Sequence, residues 1–264
     1  MTSTTEVKAA AGIAVRRVSP ALLAGVFWVA VWYLAAWAVG KEFLLASPTQ
    51  VLVRLVELVQ TGAFWMTVAT TLARIAVGFV AAAAVGTLTA MAAARYRIVA
   101  VLTSPLISTV RAVPVVSFII LVLLWADSST LATVTSFLMV VPIMHTSILE
   151  GIRARDARLL EVVTLFHVSP WRRMRAIDLP AALPFFAAAS RIGIGLAWKA
   201  GVAAEVIGVS QGSIGERLYE AKIFLESADL FAWTAVIVAL SIACEALALR
   251  VIGAMQSRHA GGVS

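Results

Sequence analysis

Four residues of the chain could do chemistry because they place a charge or a backbone break inside apolar stretches. Arg111 and Pro114 lie in one such stretch, and Lys199 and Glu205 lie in another. If these stretches cross a membrane, each charge costs about 3 kcal/mol or more and needs a partner, water or a ligand. We therefore predict all four as pathway or gating candidates. The alternatives are helix packing for Lys199 and Glu205, and a helix end at the membrane surface for Arg111.

A polar, basic segment over residues 156–184 is the second place where chemistry is expected. It lies between two long apolar runs, so if those runs cross a membrane the segment leaves the lipid and meets a partner or lipid headgroups. Ser169 can cap a short helix that begins at Pro170. Pro180 and Pro184 are expected to end that helix and start the next span. The basic side chains are Arg158, Arg172, Arg173 and Arg175.

Catalysis by this chain is not predicted. Residues 208–212, Gly-Val-Ser-Gln-Gly, match a nucleophile pattern, but that pattern needs a preceding strand and a partnered histidine and acid. Loop-forming glycines are the simpler interpretation. The sequence has neither a phosphate-binding Walker pattern nor a His-Glu-x-x-His pattern, and its single cysteine is Cys244. We therefore predict no catalytic residue, no metal site and no cofactor.

The composition indicates a membrane protein. Of 264 residues, 61% are hydrophobic and only 13% are charged, and the mean hydropathy is +0.97. A soluble domain carries about 25% charged residues, so the long apolar runs are interpreted as membrane spans. The net charge of +7 would suggest nucleic acid binding in a soluble protein. Here it is better explained by membrane topology, and no nucleic acid partner is predicted.

Six apolar regions predict an all-α polytopic membrane protein with about six transmembrane helices. The third region is broken near Pro114. An amphipathic helix after Ser47 and Pro48 is too short to span and should lie at the membrane surface or against the bundle. Gly78 and Gly86 in the second region allow close helix contact. The regions cover about 20–40, 64–93, 98–125, 130–149, 184–208 and 229–250.

The positive charges predict that both termini are cytoplasmic. With that orientation, thirteen lysines and arginines fall in cytoplasmic segments and four fall outside. Positive residues concentrate on the cytoplasmic side of membrane proteins, so this bias favours the orientation and places the basic segment inside the cell. We divide the chain into a cytoplasmic tail over 1–18, a transmembrane domain over 19–255 and a second cytoplasmic tail over 256–264.

The basic segment resembles the EAA loop of bacterial ABC-importer permeases. Glu161-Val162-Val163 stands where that family has Glu-Ala-Ala, and Ile177-Asp178-Leu179-Pro180 matches its Leu-Pro end. Residues 156–166 suit a helix. His167 stands where the family has a glycine, which forms a left-handed turn easily, whereas histidine adopts that turn less readily.

Four other stretches are similar to the six-span permeases of the sulfonate, taurine and nitrate branch, so the resemblance covers about residues 20–255. They are Leu45–Pro48, Thr71–Phe79, Arg111–Pro114 and Ala203–Gly208. The resemblance implies an ABC-importer type I (MetI-like) permease fold in the plasma membrane of a bacterium. It also implies a second permease copy, cytoplasmic ATP-binding subunits, an extracytoplasmic solute-binding protein and surrounding membrane lipid.

In such a permease, the loop over 156–180 couples the membrane domain to the ATPase. The resemblance implies a small polar organic or anionic cargo such as a sulfonate, taurine or nitrate. A thiamine precursor or another vitamin-like cargo is the alternative. An ATP-independent secondary carrier is disfavoured because no internal repeat is visible. The predicted coupling residues are Glu161, Leu165, Phe166, His167, Ser169, Trp171, Arg172 and Arg173.

Overall fold

The computed structural model describes residues 20–155, 161, 163 and 165–260. All regular structure in these ranges is helical, in agreement with the all-α prediction. The predicted helix over 156–166 falls largely outside the described residues, although Glu161, Val163 and Leu165 are helical. Residues 1–18 and 261–264 of the two predicted tails also lie outside them.

Ten α-helices and two shorter helical turns follow one another along the described chain. The α-helices are α1 (Pro20–Val39), α2 (Pro48–Val59), α3 (Gly62–Arg95), α4 (Arg97–Ala112), α5 (Val115–Leu123), α6 (Leu131–Arg153), α7 (Pro170–Arg173), α8 (Leu179–Gly208), α9 (Ile214–Ile223) and α10 (Ser227–Ala260). A 3₁₀ turn, Ser128–Thr130, precedes α6, and a π-helical turn, Met174–Asp178, joins α7 to α8.

The apolar helices fit a polytopic membrane protein. Four helical stretches in the described chain are long and apolar enough to cross a membrane. They are α3, α6 with the 3₁₀ turn before it, α8 with the π turn and most of α7 before it, and α10 over Ser227–Ala248. Helices α4 and α5 make a fifth crossing if they form one span, but they are bent by 101° at the predicted break. Helix α1, the first of the six predicted spans, is apolar but shorter over Leu23–Val39.

Helix α2 forms as its sequence predicts. Ser47 Oγ accepts a hydrogen bond from the N–H of Gln50, and Gln50 Oε1 accepts one from the N–H of Ser47 at 2.8 Å. This reciprocal cap supplies two of the backbone partners that a helix start lacks. On the polar side, Arg54 is paired with Asp229 at the start of α10, and hydrogen bonding to Asp229 raises the pKa of the Arg54 guanidinium. The pair fastens α2 to the bundle.

Helix α6 is the centre of the bundle and lies between α3 and α8. The predicted close contacts of the α3 glycines are confirmed. A Cβ at Gly78 would lie 2.4 Å from the Thr133 carbonyl oxygen, and one at Gly86 would lie 2.5 Å from Met144 Cβ. Between α6 and α8, Ser136 Oγ donates to the Ala197 carbonyl at 2.9 Å. Small residues and interhelical hydrogen bonds are the usual means of packing helices within a bilayer.

The exit from the basic segment differs from the prediction. Pro180 stands in the first turn of α8, as predicted for the start of the next span, but neither proline ends the loop helix, because α7 continues through the π turn into α8, and Pro184 lies inside α8. In the π turn the N–H of Leu179 bonds to the carbonyl of Met174, five residues back. The π turn is wider than an α-turn and lies just before Pro180. The proline ring is therefore less crowded by the preceding carbonyl groups than it would be in an ideal α-helix. The helix of the fifth predicted span therefore begins at Leu179 rather than at residue 184, within an apolar helical stretch that begins at Trp171.

Candidate functional site

The basic segment exposes large apolar side chains outside the bundle. We call residues 161–178 the coupling segment, after the role that the family resemblance predicts for it. Within it, Leu165, Phe166 and Trp171 are 74%, 72% and 67% exposed. Glu161 and Arg172 are exposed as well. Three large apolar side chains on one short polar segment form the kind of surface that a protein partner covers.

A left-handed residue makes the turn between the two halves of the coupling segment. His167 has φ 47°, and the N–H of Val168 donates to the Val163 carbonyl at 3.1 Å. A 6→1 hydrogen bond with a left-handed residue just before its donor is the Schellman motif that ends a helix. Glycine is favoured at the left-handed position. Histidine therefore keeps the turn for which a glycine is expected, although its Cβ makes that conformation less favourable.

Ser169 caps α7 as predicted. The Ser169 side-chain oxygen accepts from the N–H of Arg172 at 3.4 Å, and its carbonyl accepts from the N–H of Arg173 at 3.0 Å. Pro170 is the first residue of the helix, where its missing N–H is not needed. The cap and the left-handed turn together fix the direction in which Trp171 leaves the segment.

An ion cluster that the sequence analysis did not find closes the base of the coupling segment. The Asp178 carboxylate pairs with Arg155, just beyond α6, and lies 3.6 Å from Arg173 Nε in α7. One carboxylate thereby joins the end of α6, the loop helix and the start of α8. Opposite charges at the two ends of the segment were visible in the sequence, but only the fold shows that they meet.

The predicted break in the third span lies where the chain turns sharply. Helix α4 ends at Ala112 and α5 begins at Val115, with Pro114 in extended conformation between them. Arg111 is exposed and forms no ion pair with any described residue. A broken helix at membrane depth is tolerated where the backbone is buried or lines a cavity. Arg111 and Pro114 remain pathway candidates.

Lys199 is exposed on α8, close to the depth of that break. Helix α5 lies beside the end of α8: Leu123 approaches Gly208, and Ile119 shares a buried cluster with Ala204. Lys199 lies about 13 Å before the end of α8 at the usual helical rise, on the part of α8 that leads toward the level of the start of α5. Among the described side chains Lys199 has neither a salt bridge nor a hydrogen bond.

Glu205 has a different environment from the other pathway candidates. Its side chain is fully buried, and its Oε2 accepts from the Thr71 hydroxyl at 2.8 Å. The same hydroxyl accepts from the N–H of Ile214 at 3.0 Å, so it links α3, α8 and the start of α9. Arg74 Nη1 lies 3.5 Å from Glu205 Oε1, and Arg74 Nη2 donates to the Gln211 carbonyl at 3.1 Å. This placement favours a packing role for Glu205.

Comparisons with known proteins show what this arrangement resembles. The family described as "binding-protein-dependent transport system inner membrane component" matches residues 82–259. The taurine transport system permease protein of Escherichia coli is 26% identical over 227 residues, which are 84% of this chain and 82% of that protein. A Bacillus subtilis protein named for aliphatic sulfonates transport is 25% identical over 207 residues, or 77% and 74% of the two chains. The bicarbonate transport system permease protein of Synechococcus elongatus is 28% identical over 161 residues, 61% of this chain and 58% of that protein.

A solved structure has the same fold. It is a chain of the MetNI methionine ABC transporter in an inward-facing conformation, with a TM-score of 0.55 and 20% sequence identity. The match covers 72% of this chain and 93% of that chain. At this identity the likeness concerns the fold alone, and it confirms the predicted MetI-like permease architecture.

Proposed function

This chain belongs to the family of inner-membrane components of binding-protein-dependent transport systems, and we propose that it couples the passage of a small solute to a cytoplasmic ATPase. Its relatives are transport permeases and not enzymes, and ATP hydrolysis belongs to a separate chain. The family implies ATP-binding subunits and a substrate-binding protein as partners. The coupling itself, its residues and the cargo are our proposal.

The exposed apolar patch on the coupling segment carries the proposal. Leu165, Phe166 and Trp171 leave the bundle together, and burying large aromatic side chains in a partner supplies much of the energy of protein association. The Asp178 cluster joins the segment to α6 and α8 at its base, so a force on the patch would reach both helices.

The remaining predicted coupling residues give this patch its orientation. Glu161 and Arg172 are exposed beside it, and we propose that they select the docking angle through charge. Arg173 contributes through its ion pair with Asp178 at the base of the coupling segment. His167 and Ser169 contribute through the turn and the helix cap that they form.

The first experiment replaces Phe166 and Trp171 with aspartate together. We expect the full chain to insert in the membrane and to lose co-purification with its ATPase subunit, because two charges would enter an apolar contact. Phe224→Asp is the matched control, since Phe224 is 70% exposed after α9 and lies outside the coupling segment. Equal recovery of the ATPase with the double variant would contradict the proposal.

For the cargo, we propose a small solute with an anionic group. The names of three relatives refer to aliphatic sulfonates, taurine and bicarbonate. In this chain, Lys199 and Arg111 are exposed cations in or beside apolar helices, where a charge needs water or a counterion. An anion moving along a water-filled path would meet both of them. Pro114 lies in the break between α4 and α5, and Arg111 stands just before that break.

Lys199→Gln tests the cargo proposal. We expect ATP-driven uptake of taurine or an alkanesulfonate in reconstituted vesicles to fall at least about tenfold, because a charge-assisted contact to the anion is lost. Lys222→Gln, on the exposed end of α9, is the control. If uptake is unaffected by Lys199→Gln, the cargo does not contact this residue, and a neutral, vitamin-like solute becomes the better candidate.

The proposed assembly contains two copies of the chain with both termini cytoplasmic. The orientation rests on the excess of lysine and arginine in the segments that it places inside. A face of α8 available to a second copy includes Gly195, where an added Cβ would meet nothing within 4 Å in this chain. Exposed apolar side chains on α1, such as Leu34 and Trp37, suit contact with membrane lipid.

A further inference from the structure

A cavity of about 830 Å³ lies between the coupling segment and the end of α3. Its walls come from three parts of the chain: the last turns of α3, the end of α6, and the coupling segment itself. The cavity is therefore on the inner side of the coupling segment, next to the helices that the segment would move. Trp171 of the proposed docking patch forms part of its wall, and the proposed cargo path does not account for the cavity.

The charged side chains around the cavity are mostly positive. Three arginines line it, Arg95, Arg155 and Arg173, against the single described carboxylate of Asp178. Among the described lining residues this leaves an excess of two positive charges in a partly enclosed space. Clefts lined by charges of one sign concentrate ions of the opposite sign. An anion would offset this excess.

Two guanidinium N–H groups in the cavity have unused hydrogen-bonding capacity. The Arg155 side chain is only 10% exposed, and its Nε has no hydrogen-bond partner among the described atoms. The Nε of Arg173 is also buried without one, because Asp178 Oδ1 is 3.6 Å away, beyond hydrogen-bond length. Leaving a buried donor without a partner is unfavourable, so native structures usually supply one.

Neutral donors complete the lining. Ser169 Oγ accepts from the Arg172 N–H, which leaves its hydroxyl proton free to donate to a ligand. His167 also lines the cavity, and an imidazole can donate a hydrogen bond from a ring N–H. Planar guanidinium groups match the spacing of oxygen atoms in phosphate and carboxylate groups, and this favours an oxygen-rich anion over a halide.

We propose that this cavity binds a tetrahedral oxyanion of the phosphate or sulfate type, either as a free ion or as the headgroup of an anionic lipid. The bound oxyanion contacts Arg155 beyond α6, Arg173 in α7 and Arg95 at the end of α3. It thereby links the coupling segment to two helices of the bundle. Its presence makes the segment harder to move relative to α3. The proposal depends neither on the cargo nor on the ATPase.

Equilibrium binding to the purified full chain in nanodiscs tests this proposal. One arm uses phosphatidylcholine alone with radiolabelled inorganic phosphate. The other arm adds phosphatidylglycerol, without free phosphate, and counts the retained lipid by native mass spectrometry. We expect saturable binding in at least one arm. Arg155→Gln should weaken that binding by about tenfold or more, since a charge-assisted hydrogen bond is removed.

Two further variants keep the result interpretable. Arg95→Gln changes an exposed side chain without an ion pair to a described residue, so it tests the site even if Arg155→Gln fails to fold, and should weaken binding several-fold. Arg153→Gln, exposed at the end of α6 and outside the cavity lining, should leave binding unchanged. Binding in the phosphate arm identifies a free ion, and binding in the lipid arm alone identifies a headgroup. Absence of binding in both arms, or equal weakening by Arg153→Gln, overturns the proposal.

Discussion

Each end of α8 has a carboxylate paired with arginine, and the surroundings of the two carboxylates differ. Near its end, Glu205 is completely buried and is held by Thr71 and Arg74. Before its start, the Asp178 side chain is 17% exposed and is shared by two arginines of the coupling segment and its base. The first cluster is surrounded by packed helices, whereas the second supports a segment whose apolar side chains face outward.

This difference indicates two mechanical roles. Polar groups that are buried and fully bonded stabilise one arrangement, because any movement leaves them without partners. The Asp178 cluster is less completely enclosed, with side chains 10–34% exposed, and Arg173 Nε lies 3.6 Å from the carboxylate, so this cluster holds a single arrangement less strictly. We infer that the Glu205 end holds α3, α8 and α9 fixed, while the Asp178 end can move as a unit when the ATPase acts on it.

Glu205→Ala should have the largest effect on stability. It leaves Arg74 and Thr71 without their carboxylate partner inside the bundle, and breaking a buried pair in this way costs about 3–5 kcal/mol. Thermal unfolding of the purified chain in detergent measures the change. Glu220→Ala is the control, because its pair with Arg217 is half exposed and exposed pairs contribute about 0–1 kcal/mol. Equal stability of the two variants would show that the buried cluster does not hold the helices.

A double-mutant cycle on Arg155 and Asp178 should show an intermediate effect. We expect a coupling free energy of about 1–2 kcal/mol between Arg155→Ala and Asp178→Ala, since the pair is mostly buried but reaches the surface of the segment. The same cycle on Arg217 and Glu220 should give about 0.3–0.5 kcal/mol. A coupling free energy near zero for the first pair would mean that the coupling segment is not joined to α6 at its base.

His167→Gly should have the smallest effect, and it should be stabilising. The φ of 47° is easier for glycine than for histidine, and the exposed imidazole loses little packing, so we expect a gain of about 0.5–1 kcal/mol in the free energy of unfolding. Val209→Gly, just after α8, changes a residue with the same φ but gives up partly buried contacts. Its gain should be smaller. A loss of stability in His167→Gly would contradict the assigned turn.

Local patterns predicted much of the fold. Hydropathy located the apolar helices, and the Ser47-Pro48 and Ser169-Pro170 pairs predicted the starts of α2 and α7, because capping depends on residues only a few positions apart. The break at Pro114 was also predicted, because the effect of a proline on its own helix is local. Continuation of the helix through Pro180 was missed, because it depends on a π turn that local proline rules do not anticipate.

The clusters could not be read from the sequence because they depend on packing between distant segments. Thr71 and Glu205 are 134 positions apart, and no spacing rule connects them. Arg155 and Asp178 are separated by 23 positions and meet only because α6 and α8 run side by side. The apolar residues of the coupling segment were predicted from a family resemblance, and their exposure is what the structure adds.

Cross-linking of the coupling segment to the ATPase tests the central claim most directly. In a Cys244→Ser background, Trp171→Cys provides a single reactive thiol on the exposed patch, and Phe224→Cys provides one after α9 as a control. A short bifunctional reagent applied to the assembled transporter should join Trp171→Cys to the ATP-binding subunit, with a yield that changes when ATP is bound, and should leave Phe224→Cys unlinked. If Trp171→Cys instead links only to lipid or to the solute-binding protein, the coupling segment does not contact the ATPase and the account is wrong.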